Sequence, residues 1–134
     1  MKMHKLHITI YYEDTDAQGV VYYANYLRFF ERARTEYLRE IGYEQKLFME
    51  QGAMFIVRRV ELDFKKAAFL DDQIEIRTQI VKAGKVSFDF SQEVYSSEGE
   101  LLCTGKVKCG CLDTREFKPK ALPDKLYMGM KSLL

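Results

Sequence analysis

The stretch YLRFFERARTEYLREI, residues 26–41, restricts the fold more than any other part of this chain. Tyr26, Phe29, Phe30, Ala33, Tyr37 and Ile41 recur at i, i+3 and i+4, the spacing of one face of an α-helix, and Leu27 and Leu38 widen that face. Only Arg28, Glu31, Arg32, Thr35 and Arg39 form a plainly polar strip. A helix that is apolar over so much of its circumference must be wrapped by other structure. Asn25 suits the N-cap and Gly42 the C′ position, so both ends carry a boundary signal. YEQKLFMEQ (43–51) predicts a short second helix before Gly52.

The wrapping comes from strands. KLHITIYY (5–12) alternates and carries β-branched and aromatic residues. FIVRRVELDF (55–64) is followed by QIEIRTQIVK (73–82), with Ile74, Ile76 and Ile80 on one face. In KVSFDFSQEVY (85–95), Val86, Phe88, Phe90 and Val94 alternate with polar side chains, and LLCTGKVKCGCL (101–112) returns. KAGK (82–85) and SSEGE (96–100) read as turns, so these strands are expected to pair antiparallel. A nearly all-round apolar helix and a sheet with one apolar face have a joint solution: an α+β fold in which a curved antiparallel sheet wraps one long central helix. The outer face and edges of that sheet would then serve dimerisation. The length of 134 residues suits one domain, 1–134. From Arg115 onward, with Pro119 and Pro123, the chain is expected to form a surface strap and a loose end.

Charge and cysteines exclude several functions. With 21 basic and 20 acidic side chains and no basic stripe, nucleic acid is not an expected partner. MKMHKLHITI is too polar for a signal peptide, and no apolar run approaches the ~18 residues of a membrane span. The chain is therefore expected to be soluble, unprocessed and cytoplasmic. Cys103, Cys109 and Cys111 are odd in number and crowded together, which argues for a reducing compartment over a disulfide framework. Zinc held by the Cys-x-Cys pair and His4 or His7 is the sharper alternative. The three cysteines share parity with Leu101 and Val107, however, as expected of the inward face of one strand.

One stretch demands a chemical reason. YYEDTDAQGVVYYANY (11–26) sets Glu13, Asp14 and Asp16 at the mouth of the most hydrophobic segment. As a calcium loop opening on Asp14 it has Gly19 in place, but its closing position falls on Asn25 rather than Glu. No glycine-rich phosphate loop is present, and both histidines precede or lie in the first strand, which leaves little for a Ser-His-Asp or Cys-His device. The plain reading is that Asp14 or Asp16 favours the helix N-terminus or caps the turn at Gly19. The chemical reading is that a carboxylate beside free helix N–H groups serves as nucleophile or general base while an amide stabilises an oxyanion. The residues themselves leave both open.

The run E-D-T-D-A-x-G-V-V-Y-Y-A-N-Y-L-R-F-F-E-R-A-R (13–34) resembles the opening motif of the 4-hydroxybenzoyl-CoA thioesterase family and its YbgC-like acyl-CoA thioesterases. The likeness continues through V-R-R-V-E-L-D-F-x-x-A-A-x-L-D-D (57–72) and K-V-S-F (85–88). That resemblance implies the hotdog fold, acyl-CoA as substrate, no metal or organic cofactor, and a homodimer or homotetramer whose sites use both chains of a dimer. Asp16 would be the catalytic carboxylate, as nucleophile or general base, and the Tyr23 backbone N–H would polarise the thioester carbonyl. Many YbgC-like members carry histidine where this chain has Tyr23, so any imidazole role is absent while the backbone role stands. Asp14 would shape the turn or act on Asp16 by like-charge repulsion. Glu31 matches a position of a second or substrate-sensing acid, and Lys85 a region that holds nucleotide phosphates, with Arg58, Arg59 and Lys82 as alternatives. A β-hydroxyacyl hydratase on the same fold would need a histidine near the motif. The remaining rival is a non-enzymatic protein that binds acyl thioesters or acyl carrier protein. The residues do not choose among short aliphatic, long aliphatic and aromatic acyl groups, because Phe29, Phe30, Phe55 and Tyr37 suit a pocket or the core.

Overall fold

The computed structural model describes residues 3–134. Its elements run β1 (Met3–Thr9), α1 (Asn25–Glu40), α2 (Gln45–Glu50), β2 (Ala53–Phe64), β3 (Gln73–Ala83), β4 (Ser87–Ser96), β5 (Leu101–Asp113) and α3 (Asp124–Ser132). The strands form one sheet in the order β1-β3-β4-β5-β2, every neighbouring pair antiparallel. The antiparallel sheet around one long helix expected from the helix stripe is the one observed, in agreement with the hotdog fold that the resemblance implies. β3, β4 and β5 are joined by short turns, and β1 and β2 form the two edges. Among the described residues, no helix is long and apolar enough to cross a membrane.

α1 buries Tyr26, Phe29, Phe30, Ala33, Tyr37 and Leu38, whereas Leu27 stays exposed. The apolar stripe is therefore one residue narrower at its first turn than the sequence predicts. The Phe30 side chain reaches from the helix to Gly105 of β5. A Cβ there would stand 2.8 Å from Phe30 Cε2 and 3.0 Å from Leu62 Cδ2, so only glycine admits the buried Phe30 ring. At the far end, Gly42 takes φ +97°, and the Tyr43 N–H reaches the Leu38 carbonyl at 2.8 Å while the Gly42 N–H reaches that of Arg39 at 3.1 Å. This paired closure is the left-handed helix stop expected of a C′ glycine.

Several sequence expectations need correction. β1 ends at Thr9 rather than residue 12, because Tyr12–Asp14 coil into a 3-10 turn that the Asp14 carboxylate holds by accepting the Tyr11 N–H at 2.8 Å. Asn25 is the first helical residue rather than the N-cap, a position taken by Ala24 with no side-chain cap. Val86 falls outside β4 and is exposed, since the turn between β3 and β4 extends to it. Beyond Arg115 a strap does form, bridging Leu112 to Pro119 and donating the Leu122 N–H to the Lys85 carbonyl. The loose end is instead α3, which starts after Pro123 and buries Leu126 and Met130 at i, i+4 spacing against the core.

The cysteines sit where their parity put them. Cys103, Cys109 and Cys111 are buried on the inward side of β5. Burial pushes the thiols of Cys103 and Cys109 up to about 11, and that of Cys111 upward as well. In the unfolded chain these thiols ionise near their ordinary value of 9.0, so native stability should fall as pH rises from there towards about 11. Thiol reagents at mildly alkaline pH should label the native chain far more slowly than the urea-unfolded one; equal rates would refute the burial. Replacing Gly105 with alanine should cost about 1–3 kcal/mol in urea unfolding, the usual penalty for overpacking a tight core contact. An unchanged midpoint would mean that Phe30 can move aside.

Candidate active site

The acidic stretch folds as a tight hairpin. Thr15 pairs with Val21, the Asp16 N–H donates to the Val20 carbonyl at 2.9 Å, and the Gly19 N–H returns to the Asp16 carbonyl at 3.0 Å. Gly19 sits at φ +80° with open space around it, which is why glycine suits the tip. Asp16 Oδ1 accepts the Gln18 N–H at 2.9 Å, fixing a half-buried carboxylate within its own turn. Asp14 is committed differently. Its carboxylate holds the 3-10 turn, and its carbonyl accepts the Tyr22 N–H at 3.0 Å and Asn25 Nδ2 at 2.8 Å. Asp14 thus ties the hairpin to the entrance of α1, the shaping role that the plain reading gave it.

The hairpin is also tied to the sheet. The Val21 N–H donates to the Ala68 carbonyl at 2.8 Å, Val20 bridges Phe69, and the Leu70 N–H donates to the Gly19 carbonyl at 3.3 Å. The 65–72 connection is itself braced by Asp72, whose Oδ2 accepts the Phe69 N–H at 2.9 Å and whose carbonyl accepts that of Ile10 at 2.8 Å. Nothing in local patterning had marked Ala68 or Asp72 as supports. Their role depends on contacts some fifty residues away in sequence.

At the helix entrance the Tyr26 and Leu27 N–H groups already reach the carbonyls of Tyr23 and Ala24, at 3.3 and 3.2 Å. The backbone N–H groups of Tyr23 and Ala24 have no acceptor among the described residues. These are the orphan donors of a helix start, aligned with the positive end of the helix dipole. The Tyr23 side chain is exposed and packs edge-on to Phe64, with centroids 6.2 Å apart. Val21, Tyr23, Tyr26 and Phe64 line a groove that opens on Lys65 and Lys66.

The other candidate residues stand apart from this end. Lys85 lies between β3 and β4, where α1 finishes, so one chain does not bring it to Asp16. Arg59 is exposed on β2 and pairs with Glu61 at 2.6 Å, beside Lys106 and Lys108. Glu31 is exposed on α1 and rims a second cleft, formed with Arg34, Thr35 and Leu38 from α1, and Phe55, Phe88, Phe90 and Cys109 from the sheet. Phe29, Phe30 and Tyr37 are wholly core, and Phe55 alone of the four aromatics reaches the cleft.

Under that cleft lies a buried polar chain that the sequence reading missed. Arg34 Nη1 donates to Gln92 Oε1, and Gln92 Nε2 donates to the Phe30 carbonyl and to Thr78 Oγ1, all at 3.0 Å. Thr78 and Gln92 occupy inward positions of β3 and β4 between Ile76 and Ile80, and between Phe90 and Val94. A polar residue at an inward position was the signal available.

The family model of the thioesterase-like superfamily matches residues 11–128. The acyl-CoA thioester hydrolase YbgC of Escherichia coli O6:H1 is 40% identical over 124 residues, covering 92% of each chain. The acyl-CoA thioesterase YbgC of Haemophilus influenzae is 41% identical over 127 residues, covering 94% of this chain and 93% of that one. Among solved structures, a DHNA-CoA thioesterase from Staphylococcus aureus superimposes with a TM-score of 0.92 at 27% identity, covering 99% of this chain and 93% of that one.

Proposed function

The chain belongs to the thioesterase-like superfamily, and from that premise we propose that it hydrolyses acyl-CoA thioesters to a free acid and CoA, with Asp16 as the reacting carboxylate. The observation that carries this reading is the pairing of two features at one helix end. Asp16 is fixed in the hairpin that enters α1, and the Tyr23 N–H at that entrance has no acceptor among the described residues. A thioester carbonyl placed on the Tyr23 N–H would be polarised by the amide and the helix dipole. Asp16 then attacks the carbonyl carbon, or takes a proton from the water that does. The C–S bond breaks and the thiolate leaves and is protonated; where Asp16 attacked, water then cleaves the acyl–Asp16 anhydride, so on either route one water is consumed and the Asp16 carboxylate is restored. A tyrosine in place of histidine at 23 leaves the backbone donor intact.

The reading includes a homodimer. β2 is a twelve-residue edge strand with Val57, Val60 and Phe64 exposed, a surface that a second copy would cover. Pairing two β2 edges antiparallel about their middles sets the Phe64 end of one strand beside the Phe55 end of the other. Tyr23 and Tyr26 pack on Phe64, with centroids at 6.2 and 5.6 Å. The Asp16 end of one protomer would thus face the Phe55–Phe88 cleft, and Lys85, of its partner. That arrangement would reunite residues which a single chain keeps apart, and leaves Lys85 and Arg59 as candidates for the CoA phosphates.

Free-thiol release should be measured with acyl-CoAs from acetyl to palmitoyl and with benzoyl-CoA. Asp16→Asn should lower kcat on the preferred substrate by about 10²-fold or more, as expected for loss of a nucleophile or general base. Turnover that survives the substitution would move the chemistry to another carboxylate, Glu31 first. Absence of turnover across the panel would favour an acyl-thioester-binding role. Val60→Lys should shift the light-scattering mass from twice the chain mass towards once, with activity falling in parallel; a dimer that persists with full activity would place the interface elsewhere.

A further inference from the structure

The cleft beside α1 contains a charge that the proposed chemistry does not use. Its volume is about 140 Å³; Leu38, Phe55, Phe88, Phe90 and Cys109 supply apolar parts of its wall, and Glu31, Arg34, Thr35 and Gln45 polar ones. Arg34 enters it from the helix. A guanidinium carries five N–H donors. Among the described residues it makes one hydrogen bond, to Gln92 Oε1 at 3.0 Å, and no carboxylate comes within ion-pairing distance. Glu31, almost one turn earlier, is exposed; its charge favours the guanidinium through space without reaching ion-pairing distance.

The cation is held in place. Gln92 and Thr78 are both wholly buried, and Gln92 spends its donors on Thr78 Oγ1 and the Phe30 carbonyl, so its acceptor is fixed towards Arg34. Burial pushes the guanidinium pKa down, yet an arginine stays charged in a protein. Keeping a partly buried charge without a contact ion pair is costly, and a bound anion would offset that cost. The free N–H groups offer donors only, so the matching group on a ligand is an acceptor bearing negative charge.

We propose that Arg34 is a specificity-determining residue that pairs with a carboxylate at the far end of the acyl group, so that short ω-carboxyacyl thioesters are preferred over unsubstituted acyl groups of equal length. This rests on the hydrolase reading, in which the acyl half of the substrate enters the cleft. The apolar walls take the methylene chain, Gln92 sets the guanidinium, and the cleft volume limits the chain to a few carbons.

The test compares glutaryl-CoA with pentanoyl-CoA, equal in length and differing in the terminal carboxylate. The wild-type dimer should favour glutaryl-CoA in kcat/KM by about tenfold or more, the range of a charge-assisted hydrogen-bonded pair. Arg34→Met should collapse that ratio towards one, chiefly through KM, while Arg34→Lys should keep part of it, which a packing role alone would not do. The wild-type ratio stands as evidence even if Arg34→Met fails to fold. A wild-type preference for pentanoyl-CoA, equal rates, or a glutaryl preference that persists in Arg34→Met would overturn the assignment. Turnover of other acyl-CoAs with none of either C5 substrate would overturn it alone, whereas no turnover of any acyl-CoA would remove the hydrolase reading along with it.

Discussion

The seating of Phe30 over Gly105 is the contact on which the rest of the architecture depends. It lets the Phe30 ring reach down from the helix onto β5, where a Cβ would crowd it. From that point the stripe runs both ways: Tyr26 and Phe29 towards Ala68 and Ile74, and Tyr37 and Leu38 towards Phe90, Phe48 and the underside of α3. A sheet that holds one helix this closely must curve, and a curved sheet leaves its two edge strands, β1 and β2, on opposite flanks. The position of the helix N-terminus relative to β2 is therefore set by core packing before any chemistry is considered.

The acidic hairpin solves a problem which that packing creates. A buried helix must start somewhere, and here it starts without a side-chain cap. Asn25 turns its amide away from the helix N–H groups to hold the Asp14 carbonyl, and the Asp14 carboxylate is occupied by the 3-10 turn. Just before the first turn, the N–H groups of Tyr23 and Ala24 have no acceptor among the described residues. An uncapped start is a stability cost of about 1 kcal/mol, and it leaves these donors open to solvent or a ligand. The three acids at an apolar mouth are thus not equivalent: Asp14 is structural, Glu13 is exposed, and Asp16 is held half-buried with one oxygen fixed.

Much of this was legible in sequence because it rests on short-range periodicity. The helix stripe, the strand alternation, the parity of the cysteines and the left-handed stop at Gly42 all follow from rules that span a few residues. The errors have a common cause. β1 ended early because Asp14 competes for the backbone through its side chain, and Asn25 lost the cap to a carbonyl eleven residues away. Helix α3 was taken for a loose end because Leu126 and Met130 show only one helical repeat between them, and their burial comes from the sheet. Thr78 and Gln92 broke the inward pattern of β3 and β4, and only the structure shows that the break is filled by Arg34. The positions of Asp16 and Tyr23, the two residues that the resemblance names, were legible relative to each other because seven positions and one glycine turn connect them. Lys85, Arg59 and Glu31 were not, because where they lie relative to Asp16 depends on the register of the sheet.

That separation is itself informative about how the molecule works. Within one chain the proposed reactive end of α1 and the cleft beside its middle turns are different places, served by different parts of the sheet. In the proposed reaction that end joins the Asp16 carboxylate to a backbone donor, and the donor tolerates substitution of the Tyr23 side chain. The cleft is built from side chains, Arg34 and three phenylalanines among them, which do not. A thioester needs both, a carbonyl site indifferent to the acyl group and a pocket that reads it. Placing the first on the helix entrance and the second on the sheet lets the pocket change without disturbing the chemistry, provided that a second copy closes the gap between them. Among the described residues β2 is an edge strand with Val57 and Val60 exposed, and it is the flank at which the proposed dimer would bring the two together.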